Sequence, residues 1–256
     1  MKYSIKHFII LATISAAMFA CQKEDEGMGE MREKAKLMYV NATVNNGSTP
    51  ALARREVGVY PVYNGVDFNN HPIQFPGYNG YKAFNPGTMN IRLDTAYSPG
   101  SDKPNYLGRT KVMEFPLQIE ADNYYTLYSV GTIYKVDTFL VHDNLSLPTV
   151  GKAKVLFLNL SLDAGPIDIV NSTTGAIVAA NLSYKKRQNY MELEPGQYRL
   201  QINAAGTSTV LRPALNVLLE ANNILTVWAR GQKVPTAGSL GTQALQLSFV
   251  LNRWTY

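Results

Sequence analysis

Cysteine is almost missing from this 256-residue chain: there is one, Cys21. A single thiol excludes an intramolecular disulfide framework and any zinc site built on cysteines. Histidine is nearly as scarce. His7, His71 and His142 lie far apart, with no His, Cys or Glu partner at ligand spacing, so metal binding is not expected. Charged residues make up only 17% of the chain, and no basic run exceeds Lys185-Lys186-Arg187, so no nucleic-acid partner is expected. There is no Gly-x-Ser-x-Gly, no phosphate-cradling glycine loop and no Asp-x-Asp-x-Asp-Gly run. Neither a cofactor nor a catalytic motif is therefore expected. What remains is ordinary globular material, 46% hydrophobic and 11% aromatic, enough for one large domain or two small ones.

The first twenty residues read as an export signal. Lys2 and Lys6 form a basic start, and Phe8 to Phe19 an apolar stretch broken only by Thr13 and Ser15. That stretch is about twelve residues, short of the roughly 20 that a membrane-spanning helix needs. It ends at Met18-Phe19-Ala20-Cys21, which resembles a bacterial lipobox. The resemblance implies cleavage before Cys21 and transfer of a diacylglycerol to its sulfur, the nucleophile of that step. An ordinary signal peptide cleaved near Ala20 is the alternative. The next residues, Gln22-Lys23-Glu24-Asp25-Glu26, resemble the lipoprotein export signal of Bacteroidota, which implies the outer membrane and its cell-surface leaflet. A plain charged tether on the periplasm-facing leaflet is the other reading. Residues 21–34 carry Gly, Met and mixed charge without apolar periodicity, as a flexible tether does. Loss of the leader lowers the net charge from +5 to +3, because Lys2 and Lys6 leave with it.

The rest of the chain repeats itself. Ala35–Asn41 (AKLMYVN) returns as Ala153–Asn159 (AKVLFLN), 118 residues later. Pro86-Gly87 returns as Pro195-Gly196 at an offset of 109. Glu120-Ala121-Asp122-Asn123 returns as Glu220-Ala221-Asn222-Asn223, and Gly131 as Gly231, at an offset of 100. Two insertions in the first copy account for the falling offset. The copies span 35–148 and 152–256, meeting near Pro148-Thr149-Val150-Gly151.

Each copy reads as β. Val57, Val59 and Tyr60–Tyr63 suit a strand, as do Val155–Leu158, and Leu245, Leu247, Phe249 and Leu251 alternate with Gln246 and Ser248 as a half-buried strand would. Asn64-Gly65, Asn79-Gly80, Asp163-Ala164-Gly165, Thr174-Gly175 and Ala205-Gly206 mark turns between the runs. Copies of this size with few helical periods predict an all-β chain of two tandem immunoglobulin-like antiparallel β-sandwiches. Residues 153–231 resemble the domain-of-unknown-function family 4397, through Ala153–Asn159, Leu162–Ile169, Glu194–Leu200, Ala205-Gly206-Thr207 and Leu219–Gly231. The first copy resembles it more weakly. The resemblance implies a β-sandwich and no established reaction.

Candidate sites are few. Asp163 and Asp168, or Glu192 and Glu194, could serve hydrolysis if a cleft held two of them together, but each also suits a turn. Tyrosine is the clearer excess, with eleven of 16 in residues 35–150. Tyr78, Tyr81 and Phe84 sit in one Pro- and Gly-rich insertion, and Tyr97 and Tyr106 in another. Pro and Gly are expected to keep such loops out of a sheet, leaving rings to stack on sugars or anchor a protein. The alternative is that they roof one end of the sandwich. Asp94-Thr95-Ala96 resembles an O-glycosylation motif of exported Bacteroidota proteins, with Thr95 as acceptor. The expectation is a non-catalytic surface lipoprotein, anchored through Cys21, that binds a glycan or an envelope protein. A structural subunit of an envelope complex is the alternative, and a polysaccharide hydrolase the more distant one.

Overall fold

The computed structural model describes residues 33–45, 57–95, 109–237 and 241–253. Cys21, the tether to residue 32, Tyr97 and Tyr106 lie outside the described residues. Strands dominate, and among the described residues no helix is long and apolar enough to cross a membrane. The first copy supplies β1 (Ala35–Asn41), β2 (Gly58–Tyr63), β3 (Val66–Asp67), β4 (Ile73–Gln74), β5 (Lys82–Phe84), β6 (Gly87–Thr95), β7 (Thr110–Ile119), β8 (Tyr124–Thr132) and β9 (Lys135–Asp143). The second supplies β10 (Ala153–Asn159), β11 (Ile167–Asn171), β12 (Ile177–Leu182), β13 (Lys186–Arg187), β14 (Met191–Leu193), β15 (Gly196–Ala204), β16 (Val210–Leu219), β17 (Ile224–Arg230) and β18 (Gln246–Arg253).

Each copy makes two sheets. β5-β1-β8-β9 faces β3-β2-β6-β7 in the first, and β13-β10-β17-β18 faces β12-β11-β15-β16 in the second. Leu37, Tyr39, Val59, Ile91, Leu93, Ile119 and Leu127 fill the first interior; Val155, Phe157, Ile167, Ile169, Ile202, Val217 and Val227 fill the second. The chain is thus all-β and built of sandwiches. Among the described strands pairing is antiparallel except that β1 runs parallel to β8 and β10 parallel to β17. In each copy the opposing sheet is built between those two strands in the sequence, so the chain crosses over and returns in the same direction.

Equivalent backbone positions carry the same conformations. Gly87 and Gly196 open β6 and β15 at positive φ, Asp122 and Asn222 turn at φ 61° and 66°, and Gly131 and Gly231 at 82° and 81°. A buried asparagine closes each copy. Asn41 donates from Nδ2 to the carbonyls of Val57 and Ile73, both at 2.8 Å, and its Oδ1 accepts from the Thr43 amide. Asn159 donates to the carbonyls of Gly165 and Leu182 and accepts from Ser161 in the same way. Each amide ties the end of the first strand to the facing sheet. Substituting alanine at Asn159 should remove about 1–3 kcal/mol of stability, since buried acceptors lose their donor. A denaturation midpoint unchanged in Asn159→Ala would contradict this role.

A third apolar cluster lies between the two sandwiches. Met38, Val40, Ala42, Tyr128, Val130 and Val141 of the first pack with Leu156, Leu158, Leu160, Trp228 and Val250 of the second. β1 and β10 therefore bury both faces, with alternate residues entering the sandwich interior and the seam. That is the physical meaning of the unbroken apolar runs LMYV and VLFL, since a strand covered on one side alone would alternate. The second face of β18 is likewise not solvent: Val250 is buried in the seam, whereas Phe249 at the sheet edge is 46% exposed.

The first tyrosine-rich segment does not stay out of the sheet, and Tyr78–Phe84 is not an insertion, because β5 pairs with β1 in the register in which β14 pairs with β10. Residues 82–84 pair with Leu37, Lys36 and Ala35 as β5, and Tyr78 bridges Val40. Its Pro and Gly residues mark the bends between these pairings; they do not exclude the segment.

Candidate functional site

The seam carries a polar cluster built from equivalent residues. Offsets already seen in the strands relate Tyr81 to Tyr190 and Asp143 to Asn252 (109 each), and Thr126 to Thr226 (100). Thr126 Oγ1 donates to Asp143 Oδ2 at 2.6 Å, and Thr226 Oγ1 donates to Asn252 Oδ1 at 2.7 Å. The Tyr81 hydroxyl joins the two halves, donating to Asp143 Oδ2 at 2.9 Å and accepting from Asn252 Nδ2 at 3.0 Å. Tyr190 OH approaches Asp143 Oδ1 at 3.4 Å. The two halves also differ in charge. Where the second copy has a neutral amide, the first has a carboxyl only 4% exposed. Burial pushes the Asp143 pKa up to about 7, against the hydroxyl donors and the Arg187 charge that favour its anion.

Asp143 lines a groove of about 520 Å³ with Asn123, Tyr124, His142, Asn144 and Arg253. β8, β9, the connection that follows β9, and the end of β18 each contribute. Tyr124 meets the Tyr81 ring edge-on at 5.3 Å, so the groove rests on the polar cluster. His142 stacks on Tyr125 and its Nε2 lies 2.8 Å from Asn123 Oδ1. The arrangement combines one aromatic ring with several donors and acceptors, which suits a polar, uncharged or weakly charged ligand.

The tyrosines expected to bind divide differently. Tyr81 is built into the seam. Phe84 packs on Tyr63 and Phe68, at ring distances of 5.0 and 5.9 Å, in the first interior. Tyr78 is 49% exposed. Thr95 ends β6 and is 1% exposed. The carboxylates weighed for hydrolysis hold backbone or lysine: Asp163 accepts from the amides of Lys233 and Val234, and Asp168 from those of Asn181 and Gly206. Glu192 accepts from Thr149, and Glu194 pairs with Lys152. His71 is exposed, and among the described residues no group of three or more His, Cys, Asp or Glu could hold a metal.

Asp143 and Tyr124 are not singled out by any motif. The repeat alone does not find Asp143, because the preceding strand recurs at an offset of 100 whereas Asp143 and Asn252 are related by 109.

No curated protein matches the chain. Among solved structures, a candidate cell adhesion protein from Bacteroides fragilis NCTC 9343 aligns over 88% of this chain and 99% of its own, at 10% identity and a TM-score of 0.20. A second, from Bacteroides eggerthii DSM 20697, aligns over 87% and 96%, at 10% identity and a TM-score of 0.21. The family is clearer. The match starts just before β2 and ends in β11, the strand that stands in β2's place in the second copy, so it spans about one repeat. It rests mainly on the first copy, whereas the sequence resemblance was strongest over 153–231. Over residues 54–170 this chain matches DUF4397, a domain of unknown function.

Proposed function

We propose that the protein is a non-catalytic, lipid-anchored recognition module of the cell surface, made of tandem domains at 35–148 and 152–256, which binds a glycan or a protein. The observation that carries this reading is the seam. It fixes two sandwiches side by side and leaves grooves lined by residues of both, with polar groups and rings at the mouth. The lipobox-like Met18–Cys21 and the acidic run after it support the anchor. The engagement of Asp163, Asp168, Glu192 and Glu194 with backbone and lysine supports recognition over hydrolysis.

Two measurements test it. Cys21→Ala is expected to move the protein from the membrane fraction to the soluble fraction and to abolish lipid labelling; a variant that still partitions with membranes would refute the anchor. The wild-type chain is expected to bind in a glycan panel or to be cross-linked to one envelope protein on intact cells. Silence in both would refute recognition and leave the structural-subunit reading.

A further inference from the structure

The seam has a second opening. Asp143 lies where β8 begins and β9 ends, and the opposite end of that nine-residue strand is roughly 27 Å away. There the β8–β9 hairpin of the first sandwich meets two connections of the second. Tyr134, at the hairpin tip, is 49% exposed, and Leu162, between β10 and β11, is 44% exposed. Tyr184, between β12 and β13, packs half-buried on the seam. Together with Lys135 and Asp137 they line a cleft of about 520 Å³.

Single exposed apolar side chains are ordinary, but here two rings and a leucine from two sandwiches converge on one concavity. The polar groups beside them narrow the ligand. Asp137 is paired with Lys185 at 2.5 Å across the seam, so the wall offers a carboxylate and an ammonium that largely neutralise each other. Lys135 beside that pair leaves the wall one cation in excess, so a cationic ligand would be opposed there. A wholly apolar one would strip water from Lys135 and Asp137 without replacing its hydrogen bonds. Burial, then the Asp137 charge, raises the Tyr184 pKa to about 12, so its hydroxyl remains protonated. A ligand with one flat C–H face and a rim of hydroxyls satisfies both kinds of wall.

We propose that this cleft is a sugar-binding subsite that takes a neutral or acidic pyranose ring of a glycan, with Tyr134 stacking on its face and Lys135 and Asp137 reached by its polar groups. The proposal rests on the recognition reading above and names its ligand class. The test is saturation-transfer NMR on the full chain in detergent, with the methyl glycosides of glucose, galactose, mannose and glucuronic acid, and N-acetylglucosamine, as probes. At least one is expected to bind, with affinity falling tenfold or more in Tyr134→Ala and unchanged in Tyr78→Ala. Tyr134 sits at an exposed hairpin tip, so the melting temperature should not move. Sugar binding unaltered by both Tyr134→Ala and Leu162→Ala would overturn the cleft while sparing glycan recognition elsewhere. No sugar binding, with one envelope protein captured instead, would overturn the cleft and leave a protein-binding module. Neither sugar nor protein would overturn both.

Discussion

Trp228→Ala is expected to cost about 3–5 kcal/mol, the largest loss of any single truncation in the seam. Trp228 is fully buried and meets the Tyr128 ring edge-on at 5.9 Å. Its Nε1 has no acceptor among the described residues, so the expected loss is one of packing. Trp228→Phe should therefore recover more than half of the stability. Because the residue lies between sandwiches, the loss should also change the shape of unfolding. The wild type is expected to melt in one transition, since neither sandwich can leave without exposing the shared cluster. Trp228→Ala should broaden or split that transition in calorimetry. Equal losses for alanine and phenylalanine, with one sharp transition in both, would show that the indole does not couple the halves.

Asp143→Asn is expected to stabilise the protein above neutral pH. The folded carboxyl holds its proton up to about pH 7, whereas the unfolded one releases it near its ordinary value of 3.8. Between those values the folded state binds the extra proton, so stability is fullest at the acid end and falls as pH rises through the window. A neutral amide removes that dependence, and Asn252 already occupies the equivalent place with the same threonine donor. The gain should be on the order of 2–4 kcal/mol at pH 8 and close to nothing at pH 4. Melting curves of both proteins across that range decide it. A variant destabilised equally at both ends would mean that the hydrogen bonds of the anion outweigh its burial.

Much of the scaffold was legible because backbone demands are local. Glycine and Asx residues at left-handed turns, asparagine closing the first strand and apolar runs of strand length leave marks that recur at fixed offsets. The seam left a mark too, in the unbroken runs of β1 and β10, but continuity alone does not say what covers a second face. The segment 75–84 was harder, since Pro and Gly bend a chain without saying whether the segments between bends pair. Hence Tyr81 and Phe84 face inward where exposure was expected. Asp143 was hidden for a different reason. A buried acid is defined by what surrounds it, and Thr126, Tyr81, Tyr190 and Asn252 come from four distant stretches. Tyr134 and Tyr184 form a cleft only once the sandwiches meet.

The seam is made by like meeting like. Met38 and Leu156, Val40 and Leu158, Ala42 and Leu160, Tyr128 and Trp228, and Val141 and Val250 are equivalent positions, and all ten enter one cluster. A contact between the same face of two copies is the isologous contact of a two-fold dimer. Here covalent linkage takes the place of subunit association, so the pairing no longer depends on protein concentration. It also frees each half to change alone, and a tryptophan opposite a tyrosine and an amide opposite an acid are such changes. A chain with a single repeat and the same doubly apolar first strand has no second half to cover it. Its stoichiometry in solution should be two.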